Sequence, residues 1–191
     1  LTEDKWLAAN DPVPMLEFVA GKASARKLRL FACACVRSYW RSMREPDAQR
    51  LLDLVECYVD GKTTVQEIGR IGYGRGLSWI LRSGATEAAH WWAGTSKSSG
   101  RPNAACLLRE LFGNPFRPVP PVEPAWLTWN GGTVSTLATA MYDSGDFART
   151  PLLADALEDA GCADAELLGH LRGPGPHARG CWALDLVLRR T

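Results

Sequence analysis

The chain of 191 residues holds only three histidines and six cysteines, and no C-x-x-C pair among them. Thioredoxin-like redox chemistry and zinc ribbons therefore lack their signature. Excess charge is also missing: 22 Lys and Arg against 21 Asp and Glu leave a net charge of +1. Such a balance gives no whole-molecule field for nucleic acid, acidic substrates or a membrane surface. No apolar run approaches the ~18–20 residues that a membrane span needs. The opening Leu1-Thr2-Glu3-Asp4-Lys5-Trp6 has neither the basic nor the apolar region of a signal peptide, so the expected location is the cytoplasm, with no membrane contact. Alternating strand patterns are almost absent, and the apolar spacing is helical nearly throughout. The expectation is an all-α protein of two helical lobes.

The nucleotide and hydrolase motifs also fail. Gly72-Tyr73-Gly74-Arg75-Gly76 lacks the third glycine of G-x-G-x-x-G, and Gly94-Thr95-Ser96-Lys97-Ser98 has Ser96 where a P-loop needs glycine. Neither follows a strand, and G-x-S-x-G, H-E-x-x-H and an EF-hand loop are missing.

Helices are well punctuated. Asp11-Pro12 opens one that Gly21 closes, and residues 24–44 carry Leu28, Phe31, Ala32, Cys35, Val36 and Tyr39 at helical spacing. Pro46 and Gly61 bracket another, and Thr64-Val65-Gln66-Glu67 matches the capping box. Helix is expected over 64–93 despite a glycine-rich stretch, and Thr95–Gly100 reads as a loop before a helix through Leu107, Leu108, Leu111 and Phe112. Five of the ten residues from Pro115 to Pro124 are proline, which holds the backbone extended. The expected organisation is a lobe over 1–114, a connector over 115–124 and a lobe over 125–191. In the last, helices are expected through Leu137–Tyr142, from a Thr150 cap, from Asp164, and over about 178–190.

Several strings resemble one family. Asp11-Pro12-Val13-Pro14-Met15-Leu16-Glu17-Phe18 and Gly21 to Ala32 (GKASARKLRLFA) are similar to the N-terminal motif of a helical family abundant in planctomycete genomes. Phe112-Gly113-Asn114-Pro115-Phe116-Arg117-Pro118, Pro124 to Thr128, Leu153 to Cys162, and Arg172 to Trp182 resemble its C-terminal motifs. The resemblance implies a stand-alone helical domain that also occurs beside other modules, and assigns no activity. The glycine-rich 69–84 segment departs from the family, whose members are usually alanine-rich there.

Two features carry candidate chemistry. From Lys22 to Arg44 there are seven basic residues and no acidic one. Arg26, Arg29, Arg37, Arg41 and Arg44 share one stripe, which suggests a face for an acidic protein partner or, alternatively, for nucleic acid. The competing reading is internal neutralisation, because Asp53, Glu56 and Asp60 follow closely and Asp155, Glu158, Asp159, Asp164 and Glu166 cluster later. The second feature is Cys162, His170, His177 and Cys181, the ligand types that zinc prefers, although their spacing matches no finger pattern. A Cys181–His177 nucleophile and base with Asp185 as orienter is the alternative there. Structurally, Asp185 calls for a buried ion pair with Arg172 or Arg179. His90 beside Trp91 and Trp92 could line a pocket, and the cysteines are expected as free thiols. The leading expectation is thus a non-enzymatic interaction domain, with nucleic-acid binding and a zinc or thiol site as alternatives.

Overall fold

A computed structural model describes residues 1–40, 46–69, 80–95 and 104–190. Among these the chain is helical and contains no strand, and no helix is long and apolar enough to cross a membrane. The helices are α1 (Glu3–Ala8), α2 (Pro12–Ala20), α3 (Ala25–Trp40), α4 (Pro46–Val59), α5 (Val65–Gly69), α6 (Ala85–Thr95), α7 (Ala104–Phe112), α8 (Pro124–Thr128), α9 (Thr133–Ser144), α10 (Thr150–Asp159), α11 (Ala165–Arg172) and α12 (Trp182–Val187). They form two compact units, Leu1–Arg109 and Glu110–Thr191. The division falls within α7, ahead of the proline-rich segment, whose Val122 packs on the C-terminal core.

In the first unit, local chemistry sets the helix ends. The Asp11 carboxylate accepts the Val13 N–H, with Pro12 in the first turn where its missing donor costs nothing. At the capping box, Thr64 N–H donates to the Glu67 carboxylate at 2.8 Å while Glu67 N–H reaches the Thr64 hydroxyl at 3.4 Å. Helix α3 packs against both α4 and α6. The expected single apolar stripe is an understatement, because Leu30, Cys33 and Ala34 are buried together with Leu28, Phe31, Ala32, Cys35 and Val36. A helix with neighbours on more than one side buries residues around most of its girth, and its long polar side chains must then find partners among those neighbours. Of the expected 64–93 helix, Val65–Gly69 and Ala85–Thr95 are helical, while 70–79 lie outside the described residues.

The second unit gathers Trp126, Met141, Leu153, Leu157, Leu167, Leu171, Leu184 and Val187 into one core. Helix α9 packs on α8, α10 and α12, and α10 packs on α11. The Asp164 carboxylate caps α11 by accepting the Leu167 N–H at 2.7 Å, as its sequence position suggests. Thr150 is not the cap of α10. A 3-10 turn at Phe147–Arg149 runs straight into the helix, so Thr150 lies inside it and its hydroxyl donates back to the Phe147 carbonyl. The last helix is shorter than the expected 178–190, since Gly180 takes φ +82° and Arg189 φ +53°, both outside helical backbone.

Candidate metal centre

Three segments of the second unit converge on one point. Helix α7 supplies Glu110, an acid 4% exposed on a helix whose Leu107, Leu108 and Leu111 are buried. Helix α11 supplies His170 from its last turn. The chain then leaves α11 through Gly173, turns at Gly175 and returns to place His177 and, at the head of α12, Cys181. Gly175 has φ +81°, and a Cβ there would fall 2.6 Å from the backbone nitrogen of His177, so only glycine lets the loop present this histidine.

One donor atom from each of Glu110, His170, His177 and Cys181 lies within 4.8 Å of all the others. Glu110 Oε2 is 3.3 Å from both His170 Nε2 and His177 Nδ1, and His170 Nε2 is 3.2 Å from Cys181 Sγ. Metal–ligand bonds of about 2.0–2.3 Å around a tetrahedral zinc imply ligand–ligand edges of about 3.3–3.7 Å. Three of the edges thus already have nearly the tetrahedral length.

The protons of the cluster follow from its acceptors. His177 Nε2 lies 3.2 Å from the Gly173 carbonyl, which can only accept, so Nε2 carries the hydrogen. Nδ1 lies 3.3 Å from the Glu110 carboxylate, a second acceptor, so the ring meets both as an imidazolium, or with a cation in place of the Nδ1 proton. Burial alone would lower the basicity of His177, but the hydrogen bond and charge of Glu110 hold its pKa above the usual value. Burial would raise the Glu110 carboxyl, yet hydrogen bonds and charge from His170 and His177 hold it below the usual range. Burial and the Glu110 charge push the Cys181 thiol well up. The second oxygen of Glu110 accepts the Ala178 N–H at 3.3 Å, which fixes the carboxylate plane.

The cluster differs from the expected zinc set in one member. Cys162 is buried just beyond α10, with its N–H donating to the Leu157 carbonyl, and it joins the hydrophobic core of the unit. Glu110 stands in its place. The sequence signal that could have found it is a carboxylate set among Leu107, Leu108 and Leu111. The proposed Cys181–His177 catalytic pair is also rearranged. His170, not His177, is the neighbour of Cys181, and the same nitrogen, Nε2, faces both the thiol and Glu110. A triad needs its orienting carboxylate on the opposite nitrogen, and this arrangement does not have it. Asp185 is buried as expected, whereas Arg172 pairs with Asp155 and Glu158 instead.

The basic stripe lies in the first unit. Arg26 binds Asp60 at 2.8 Å, and Arg37 binds Asp53 at 2.7 Å and Glu56 at 2.9 Å. Arg29 donates to the carbonyls of Ile80 and Ser83, at the end of a helical turn. Arg41 and Arg44 lie outside the described residues. His90 bonds back to the Thr86 carbonyl of its own helix at 2.9 Å, Trp91 is exposed and Trp92 buried. All six cysteines are free. No protein-family model matches the chain, and neither a curated protein nor a solved structure matches it.

Proposed function

We propose that the chain is a non-enzymatic, zinc-binding helical domain in which Glu110, His170, His177 and Cys181 hold the metal and thereby tie together α7, α11 and the start of α12. The observation that carries this reading is the convergence of four donor atoms of the zinc-preferring types within 4.8 Å. A thiolate and two imidazoles suit zinc and its neighbours in the first transition row, while calcium and magnesium favour oxygen ligands. Four protein ligands fill a tetrahedron and leave no position for substrate water, which favours a structural ion over a catalytic one.

The reading of α3 as a basic face for a protein or nucleic-acid partner draws less support, because Arg26, Arg29 and Arg37 already have partners inside the first unit. Elemental analysis of the purified full chain tests the metal reading. About one equivalent of zinc is expected, retained in Cys162→Ser and lost in Cys181→Ser and His170→Ala. Protein that takes up no zinc after reconstitution, or a Cys181→Ser variant that binds it as well as wild type, would overturn the assignment.

A further inference from the structure

An imidazole ligates through a lone pair in its ring plane, and the torsion that turns that plane is broad and soft. Each ligand histidine therefore needs a neighbour that fixes its ring. For His177 that neighbour is the Gly173 carbonyl. For His170 it is a flat wall: the Trp182 indole lies with its centroid 5.1 Å from the imidazole centroid, at an interplanar angle of 53°. The two imidazoles meet edge to face at 5.3 Å, so an error in one ring passes to the other.

Trp182 is itself held in place. It packs on the C-terminal core and directly follows the ligand Cys181. It also lies against Gly113, where a Cβ would fall 3.1 Å from the indole Cγ and 3.2 Å from Cδ2. Gly113 has φ +63° and directly follows α7, the helix that carries Glu110. The segments that supply Glu110, His170 and Cys181 thus all meet at one indole.

We propose that Trp182 is a positioning residue of the metal centre, fixing the plane of His170 so that Nε2 faces the shared point, and that Gly113 is kept without a side chain to admit the indole. This rests on the metal-binding reading above. The test uses the full chain with Trp182→Phe, Trp182→Leu and Gly113→Ala. Zinc affinity is measured by competition with a chromophoric chelator, the ligand field by the visible spectrum of the cobalt(II) form, and the fold by the thermal midpoint of metal-free protein.

Trp182→Leu is expected to weaken zinc binding about 10–100-fold, the usual effect of losing a group that orients a ligand, and to alter the cobalt spectrum. Trp182→Phe, which restores a flat ring, is expected to recover most of the affinity and the wild-type spectrum. If Leu and Phe lower the metal-free midpoint while both keep wild-type affinity and spectrum, Trp182 is a packing residue only and the proposal fails. Where Trp182→Leu does not fold, Gly113→Ala decides, with its metal-free midpoint reporting the backbone strain that a side chain meets at φ +63°: wild-type affinity and spectrum overturn the proposal, and weakened zinc binding with an altered cobalt spectrum at a near-wild-type midpoint sustains it. Wild-type protein that takes up neither zinc nor cobalt would instead sink the metal-binding reading, a result distinct from failure of the positioning role.

Discussion

On the proposed reading, zinc stabilises the second unit by an amount that can be worked out before the experiment. A ligand that binds only the folded state adds RT ln(1 + [L]/Kd), about 2.7 kcal/mol at a free concentration 100 times Kd. The liganding atoms come from α7, α11 and the head of α12 within Glu110–Thr191, so the unfolded chain scatters them and offers no competing site of like affinity. For a domain of about 60–100 residues, each kcal/mol moves the midpoint by about 4–8 °C. Saturating zinc should therefore raise the melting temperature of the second unit by roughly 11–22 °C. Differential scanning calorimetry of the full chain, titrated with zinc buffered by a weak chelator, reads this directly. Cys162→Ser should follow wild type, and Cys181→Ser should show little or no shift. A wild-type midpoint indifferent to zinc across that range, or an equal shift in Cys181→Ser, would refute the reasoning, because the stabilisation would then not arise from these four ligands.

Other outcomes follow from the same structure. Leu184 is fully buried in the core of the second unit, so Leu184→Ala should cost about 2–5 kcal/mol by loss of burial and by the cavity left behind, as measured by urea unfolding. The Arg109 guanidinium donates to the carbonyls of Trp6 and Ala9 at the end of α1; Arg109→Met should destabilise the first unit by about 1.5–3 kcal/mol and speed amide exchange in residues 3–8. Asp164→Ala removes the acceptor for the Leu167 N–H and should cost about 1 kcal/mol, checked by thermal melting. In native protein a disulfide-exchange reagent should label the half-buried Cys57 and Cys106 ahead of Cys33 and Cys35, since burial pushes both of the latter thiols well up and only the thiolate reacts. Mass spectrometry after brief labelling identifies the sites.

Much of the fold was legible because short-range rules set it. Asp11, Thr64 and Asp164 cap their helices through bonds to residues two or three positions on, and a sequence window contains both partners. The misreadings arose where the backbone left the helical region for reasons that no window carries. Helix α12 was expected to run through Ala178 to Arg190 on its apolar content, but Gly180 and Arg189 hold positive φ and cut it at both ends. Thr150 looked like a cap, yet the preceding 3-10 turn extends the helical path past it and turns its hydroxyl into a donor to Phe147.

The basic stripe was legible in part: Asp53, Glu56 and Asp60, close by in the sequence, do pair with Arg26 and Arg37, whereas the backbone partners of Arg29 are declared by no sequence window. Arg29 looks exposed on a helical wheel drawn for α3 alone. With α6 packed against that helix, its guanidinium falls beside the carbonyls of Ile80 and Ser83, which a planar fork of donors suits well. Arg26, Arg29 and Arg37 thus all have partners within the first unit. At the candidate metal centre, nearness in sequence misleads in the same way. Cys162 is close to His170 and His177 along the chain but lies in the hydrophobic core, while Glu110, more than fifty positions earlier, joins the cluster. A buried carboxylate must be paired or neutralised, and Glu110 lies at 4% exposure on a helix otherwise dominated by leucine and alanine. Its presence there demands cationic company, and among the described residues His170, His177 and the Ala178 N–H answer it, with the Cys181 thiol beside them. Replacing Glu110 with Gln keeps the shape and removes the charge, so the metal reading expects zinc affinity to fall sharply while the metal-free fold survives. A purely structural hydrogen-bond role expects the opposite order, with loss of metal-free stability and no zinc effect, and calorimetry with and without zinc separates the two.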